Sequence, residues 1–336
     1  MGKHSEFYWI MKNAIKNYLV SVIIPNWDGL ELLKICLPSI KKQTYKNYEV
    51  IIVDNGSVDD SIAWINKNFS EFITLKLDKN YGFARAVNKG IKKSKGEYIF
   101  LLNNDTEVDK RCVEFLVESA NKNSELGFIS AKILNYENRK IIDNAGDYLD
   151  SSGHLLTYGL GQKDGPVFNE GRFIFLGTGG GTLFTREVFK KIGFFDEDFY
   201  FYMEDADFCL RAQLASFKGW FEPKAKIYHR RMATSKRLKD RDVLVFQNMI
   251  VMVIKNFPGF LLLHRFNWLR ILLVHINTLR YLIFKGHILG VLKAELYLIA
   301  NMAGILKKRA KIQKLKTVPD DYIVENIMEK QFRAGR

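Results

Sequence analysis

The run Tyr48–Ser57, YEVIIVDNGS, sets four apolar residues (Val50–Val53) directly before an acid, an amide and a glycine. A short apolar run that stops at turn residues predicts a strand buried on both faces, as in parallel sheets. Upstream, LVSVIIP (Leu19–Pro25) has the same character. Between the two, Leu30–Lys42 carries Leu32, Leu33, Ile35, Cys36, Leu37 and Ile40, a helical pattern. Downstream, Asp59 or Asp60 is placed to cap a helix over Ser61–Phe69. ITLKL (Ile73–Leu77) predicts a third strand, Gly82–Ser94 a third helix and EYIFLLNND (Glu97–Asp105) a fourth strand. Strands alternating with helices in this way define βαβ units, hence an α/β fold with a mostly parallel sheet flanked by helices. Gly127 to about Ser235 predicts mixed strands and loops, glycine-rich at Gly177–Gly181. From Asp240 the pattern is helical, broken at Pro258-Gly259. Three segments result: an extension over 1–18, the α/β domain over 19–238 and a basic, amphipathic helical region over 239–336.

Composition narrows the class. The 336 residues are 47% hydrophobic and 26% charged, which excludes a disordered, collagenous or disulfide-scaffold chain. The three cysteines, Cys36, Cys112 and Cys209, form no Cys-x-x-Cys pair, so a reduced cytosolic setting is expected and a zinc cluster is not. Acids and bases nearly balance up to Phe217, and the whole net charge of +14 arises beyond it. That asymmetry points to a polyanionic partner for the last third. The segments Val243–Asn256, Phe260–Ile276 and Ile288–Leu306 are strongly apolar with scattered Lys and Arg, followed by Lys307–Lys311. Such helices suit an anionic membrane surface, or a bundle packed on the α/β domain; the apolar content between the charges disfavours nucleic acid. No secretory signal is expected at the start. Ile288–Leu306 is the best candidate for a span, but it carries Lys293 and Glu295.

Chemistry-bearing residues gather at one end of the strands. Asn26 and Asp28 follow the first, Asp54 and Asn55 the second, Asn103–Asp105 the fourth. Ligands of open α/β sheets sit beyond these carboxyl ends. Each group alone is an ordinary turn; three on one rim define a candidate site. The stretch GFFDEDFYFYMEDADFCLR (Gly193–Arg211) adds a wall of aromatics and a helix whose first turn holds Glu204, Asp205 and Asp207. Asp207 and Arg211 are spaced to pair on one helix face, while Glu204 and Asp205 point in different directions. VDNGS is neither a Walker loop nor a Gly-x-Gly-x-x-Gly motif. Asn103-Asn104-Asp105 offers one carboxylate, enough for a divalent ion that takes its other oxygens from phosphates and water. Cys209, Trp27 and Trp220 are expected in packing roles, and His264, His275 and His287 at helix boundaries or a membrane interface.

The ordered set VSVIIP, VDNGSVDDS, NYGFARAVNKGI, GEYIFLLNND, GTGGG, GFFDEDFYFYMEDADFCLR and IYH, over Leu19–Ser235, resembles the family-2 glycosyltransferases, inverting enzymes of GT-A fold that use nucleotide-diphosphate sugars. The branch it is most similar to includes rhamnosyl- and galactofuranosyltransferases. The resemblance implies a dTDP- or UDP-sugar donor, dTDP-rhamnose among them, a glycan or lipid-linked acceptor, and Mg²⁺ or Mn²⁺. It assigns Asp54 to the nucleotide base, with Pro25 and Asn26 as the wall of that pocket. Asn80, Gly82 and Asn88 fall in the loop beside the nucleotide, with Arg85 as a phosphate contact. Asn103-Asn104-Asp105 corresponds to the family's Asp-x-Asp motif with only its last position acidic: Asp105 for the metal, Asn104 for the ribose. Glu204-Asp205 is the acidic pair holding the general base, taken as Asp205. Gly179–Gly181, centred on Gly180, forms the loop under sugar and acceptor. His229 is a second metal ligand, and Arg230, Arg231 and Lys236 form a flap over the diphosphate. Peripheral attachment to the inner face of the cell membrane is expected, and homo-oligomerisation is left open. The alternative reading is a non-catalytic, membrane-held scaffold of the same fold; a processive synthase is disfavoured because no Gln-x-x-Arg-Trp motif is present.

Overall fold

In the computed structural model, which describes residues 17–231, 240–263 and 266–329, strand β1 (Val20–Asn26) lies parallel to β2 (Tyr48–Asp54). Their register pairs Val20 with Tyr48 and Asn26 with Asp54, so both strands end at one level. The expected helices follow: α1 (Leu30–Lys41), α2 (Ser61–Asn68) and α3 (Phe83–Lys93). They alternate with β3 (Ile73–Lys76) and β4 (Tyr98–Leu102), which pair parallel with β2 and β1 respectively. Val22 and Ile24 face one side of the sheet with Leu33, Leu37 and Ile52. Ile23 faces the other with Ile51, Val87 and Leu101. This period-two alternation, buried on both sides, is why each run looks continuously apolar.

Beyond β4 the chain adds β5 (Thr106–Val108), α4 (Cys112–Lys122) and β6 (Leu126–Asn135). Short strands β7 (Ile142–Asn144), β8 (Asp147–Leu149), β9 (Leu155–Thr157) and β10 (Arg172–Ile174) come next. Then follow β11 (Gly181–Thr185), α5 (Arg186–Ile192), α6 (Glu204–Leu214) and β12 (Lys218–His229). The large sheet runs β10-β12-β6-β11-β4-β1-β2-β3, with β5 on β12 and β7 on β6; β8 and β9 pair separately. The sheet is not parallel throughout. β11 runs antiparallel to both β4 and β6, because it comes back from the site rim through the glycine loop without a helical crossover.

The expected cap of α2 is built differently. Asp60 occupies the cap position without a side-chain bond. Asp59 instead accepts from the backbone N–H of Ser61 (3.1 Å) and of Leu30 (3.0 Å), tying the starts of α2 and α1 together.

The last third forms α7 (Arg241–Asn256), α8 (Gly259–Leu263), α9 (Asn267–Phe284), α10 (Ile288–Gln313) and α11 (Asp320–Val324). The segment expected as one helix over Phe260–Ile276 is therefore split between α8 and α9, the second starting after Phe266, whose φ of +56° is outside the helical range. α7 is packed on the α/β domain through Met249 and Val253, which meet Gly153, while its Val243 and Phe246 face the other C-terminal helices at Gly290 and His275. α10 lies against α7 by Val291, Ala294, Leu298 and Ile305, one helical stripe. It is 26 residues long, continues through Lys307–Lys311 and is long and apolar enough to cross a membrane by length and composition. His275 stacks on Phe246 and His287 meets Asp240 at 2.9 Å, both at helix contacts. Lys236 and His264 lie outside the described residues.

Candidate active site

The carboxyl ends of β1, β2 and β4 meet in a hydrogen-bonded chain. Asn26, 2% exposed, donates through Nδ2 to Asp54 Oδ1 (3.2 Å), while its Oδ1 accepts from Asn104 Nδ2 (2.7 Å). Asp54 is fully buried, and its Oδ2 accepts the backbone N–H of Ser57 (3.1 Å). Pro25 is half-buried beside it, opposite Val53. The nucleotide-side loop is set by a residue without a predicted role, Asn55. Its amide donates to Asn80 Oδ1 (2.9 Å) and to the Gly82 carbonyl (3.1 Å), and its Oδ1 accepts the Tyr81 N–H. Asn80 in turn accepts the Gly82 N–H. Gly82 has φ +83°, and a Cβ there would collide with the Tyr200 carbonyl, so only glycine fits. The Phe83 N–H donates to that same carbonyl (2.8 Å).

Asn88 and Arg85, on α3, make contacts of a different kind. The Asn88 amide is taken up by the loop before α6: Nδ2 donates to the Phe195 carbonyl and Glu197, and Oδ1 accepts the Phe195 N–H. Arg85 is exposed, 4.1 Å above the Tyr81 ring and 3.8 Å from Glu197.

Asp105 and His229 come together because β5 pairs antiparallel with β12, Thr106 opposite His229. Asp105 is 7% exposed, and its Oδ1 makes no hydrogen bond among the described residues, yet lies 3.3 Å from His229 Nε2. On the other side of the ring, Nδ1 donates to Asp143 Oδ2 (2.5 Å), and Arg231 approaches Asp143 Oδ1 at 3.2 Å. Burial opposes a charge on His229, but the two carboxylates outweigh it and hold the imidazole at about 9. An orphaned carboxylate oxygen beside an imidazole oriented by a second carboxylate is a donor set that fits a divalent cation. Among the described residues no third His, Cys, Asp or Glu joins them, so phosphate oxygens and water would complete the shell.

The acidic pair sits at the start of α6. Asp205 accepts the N–H groups of Gly179 (2.9 Å) and Ala206 (2.8 Å). Burial raises its pKa against those bonds. Glu204 is 6% exposed, its Oε2 finds no partner among the described residues, and burial pushes it well above the ordinary carboxylate range. Asp147, held by Asn144 and Thr157, is pushed up to about 7 by burial, with the charges of Asp205 and Asp143 adding to the effect. Gly180 packs so closely on Asn103 that a Cβ would stand 2.8 Å from its Nδ2. The glycine loop therefore joins the strand-end amides to Asp205. Contacts link the three acids in series: Asp54 through Asn26 and Asn104 to the neighbouring Asp105, and Asn103 through the Gly179–Gly180 loop to Asp205. Two surface hollows of about 370 and 400 Å³, by Trp64 and Phe69 and by Tyr45 and Glu118, touch none of these carboxylates. The convergent polar groups, not hollow size, mark the site.

The C-terminal helices brace the loop that leads into α6. Lys255, 1% exposed, pairs with Asp196 and with Asp207 (2.9 Å). Asp207 also accepts from Arg211 (2.9 Å), the predicted helix pair, and from Asn256 (2.7 Å). Lys308 reaches Asp196 and Asp198 at 2.5 Å each. Asn248 donates to the carbonyls of Phe201 and Tyr202.

Polar and acidic groups gathered at the strand ends of an open α/β sheet are where enzymes of this architecture bind their ligands. The family described as Glycosyl transferase family 2 matches residues 21–193, more than half of the chain, and the chain belongs to it. An uncharacterized glycosyltransferase of Rickettsia prowazekii (strain Madrid E) is 30% identical over 196 residues, 56% of this chain and 56% of that protein. A poly-beta-1,6-N-acetyl-D-glucosamine synthase of Staphylococcus epidermidis is 25% identical over 208 residues, 61% of this chain and 48% of that one. The chain spans between about a fifth and a little over half of the length of the curated relatives it matches. Among solved structures, GalNAc-T7 with UDP, GalNAc and Mn²⁺ superposes with a TM-score of 0.58 at 18% identity, covering 71% of this chain and 48% of that one. That likeness establishes the GT-A-like α/β fold with its mostly parallel central sheet.

Proposed function

We propose that the chain transfers a sugar, with inversion, from a nucleotide-diphosphate donor (a dTDP- or UDP-sugar, dTDP-rhamnose among them) to a hydroxyl of a glycan or lipid-linked acceptor. It would work at the inner face of the cell membrane. The observation that carries this reading is Asp205: a half-buried carboxylate of raised basicity, tied to the Gly179 N–H beside the Asn103–Asp105 strand end. Asp205 takes the proton of the acceptor hydroxyl as that oxygen attacks the anomeric carbon. The bond to the diphosphate breaks on the opposite face, and its electron pair leaves with the phosphate oxygen. Asp105 and His229 would hold a Mg²⁺ or Mn²⁺ ion, which neutralises charge on the diphosphate when bound. Asp54 and Asn26 would receive the base, Asn104 the ribose, and Asn80 and Gly82 shape the loop beside them. Gly180 and its neighbours leave room for sugar and acceptor. Nucleoside-diphosphate release from a panel of donors, with and without Mn²⁺, tests the activity. Asp205→Asn should lose at least 10³-fold in turnover while calorimetry shows donor affinity within a few-fold of wild type. Near-normal turnover in that variant removes Asp205 from the base role.

A further inference from the structure

The outward faces of α9 and α10 are covered by no part of the described chain. On α10, Leu289 (74%), Leu292 (54%), Leu296 (64%) and Ile299 (73%) are exposed and recur every three or four residues, forming one stripe. On α9, Leu269, Leu273 and Ile276 form a second exposed stripe at the same spacing, taken up again at Ile283 beyond the exposed Arg280. Single exposed apolar side chains are ordinary, but two consecutive stripes are not. Lys293, Lys307 and Lys311 are exposed along the border of the α10 stripe. From Asn267 to Lys316 the only acid is Glu295, and it is engaged by His275 at 3.4 Å.

We infer that this α9–α10 face is a docking surface for an anionic bilayer, with α10 lying in the plane of the interface. The charge pattern selects that partner. A second copy docked face to face would bring like-charged borders together, and a nucleic acid would leave the apolar stripes wet. A bilayer surface answers both features, acyl chains for the stripes and anionic headgroups for the lysines. The packing selects the orientation. The opposite side of α10 is occupied by α7 through Val291, Ala294, Leu298 and Ile305. Further along, Arg309 donates to the carbonyls of Ile254 and Phe257, and Gln313 to those of Lys255 and Asn256. A spanning α10 would strip away those contacts and carry Lys293 and Glu295 into hydrocarbon. Because Lys308 on the same helix holds Asp196 and Asp198, docking here sets the loop before Asp205 close to the lipid surface.

The test is flotation of the full chain with vesicles of phosphatidylcholine alone or with 30% phosphatidylglycerol. Wild type should float with the anionic vesicles at least tenfold better than with the neutral ones, and lose that preference in high salt. Leu296→Glu with Ile299→Glu should cut flotation at least tenfold without moving the melting temperature, both side chains being exposed. Equal binding to the two vesicle types, or undiminished binding of the double variant, overturns the proposal. So does retention after alkaline carbonate washing, which marks a spanning helix, or a dimer in sedimentation that the same substitutions break. Flotation needs no donor, so Asp205→Asn should float like wild type. A failed transferase assay therefore leaves this surface standing, and a failed flotation leaves the chemistry standing.

Discussion

Replacing Lys255 by Met removes the cation that two carboxylates share under the loop leading to Asp205. Lys255 and Asp207 are buried, and the Asp196 side chain is 12% exposed, so solvent can do little to screen what remains. Breaking a buried pair from one side costs about 3–5 kcal/mol. Asp207 keeps Arg211 and Asn256, and Asp196 keeps Lys308, which places the expectation at the lower end, about 3 kcal/mol. A second route accounts for part of that figure. The ion pairs outweigh burial and hold Asp196 at about 2, against an ordinary 3.8. At about 1.4 kcal/mol per pH unit, that carboxylate alone contributes roughly 2 kcal/mol near neutrality, divided between Lys255 and Lys308. For a chain of this size the melting temperature should fall by about 4 °C at pH 7. Both carboxylates are held low, so their contribution is present above the ordinary carboxylate pKa and fades as pH drops from about 4 towards 2. In the Met variant they protonate at higher pH, which relieves the unpaired charge. The gap between wild type and variant should thus be widest at neutral pH and narrow below about pH 4. Thermal unfolding followed by circular dichroism at pH 7 and 3.5, with Lys255→Met/Asp196→Asn to close the cycle, measures this. A loss under about 1 kcal/mol at pH 7, or a gap indifferent to pH, refutes the reasoning.

Asp143→Asn should weaken Mn²⁺ binding about 10–100-fold in calorimetry with UDP present, because the ring of His229 loses the carboxylate that orients it; unchanged affinity would show that Asp143 does not position the imidazole. Gly82→Ala should destabilise by about 3 kcal/mol, strain and collision with Tyr200 together, whereas Gly193→Ala, at a similar positive φ but in open space, should cost only the strain, about 1–2 kcal/mol. Equal losses at the two glycines would show that the Tyr200 contact carries no weight.

The layers of the fold were visible in the residues wherever interactions are local. Val20–Asn26, Tyr48–Asp54 and Tyr98–Leu102 announce themselves because a strand covered on both faces must be apolar at every position. The reversed β11 did not, since Gly181–Thr185 has the same texture whichever way it runs. The strand-end acids could be anticipated from where ligands sit in such sheets. Asp143 could not: it reaches His229 only through the pairing of β7 with β6 and β6 with β12, and nothing in the run around Ile142–Asn144 signals that contact. Lys255 was hidden for a different reason. A lysine in an amphipathic helix looks like a solvated residue until the carboxylates it meets, from Asp196 and Asp207, are placed in space. Asn88, expected in the loop beside the nucleotide, bonds to Phe195 and Glu197, partners more than a hundred residues away that spacing alone does not reveal.

Asp54 has no contact with solvent, and both its oxygens already have partners in Asn26 and Ser57. On the proposed reading, a nucleobase reaches it only by taking over one of those partnerships. A base with a donor at the right edge completes the exchange at little net cost. One that lacks it leaves a carboxylate stranded in a dry wall, a penalty of about 1–3 kcal/mol or more. Discrimination among nucleotides would then come from the punishment of poor fits more than from the reward of good ones.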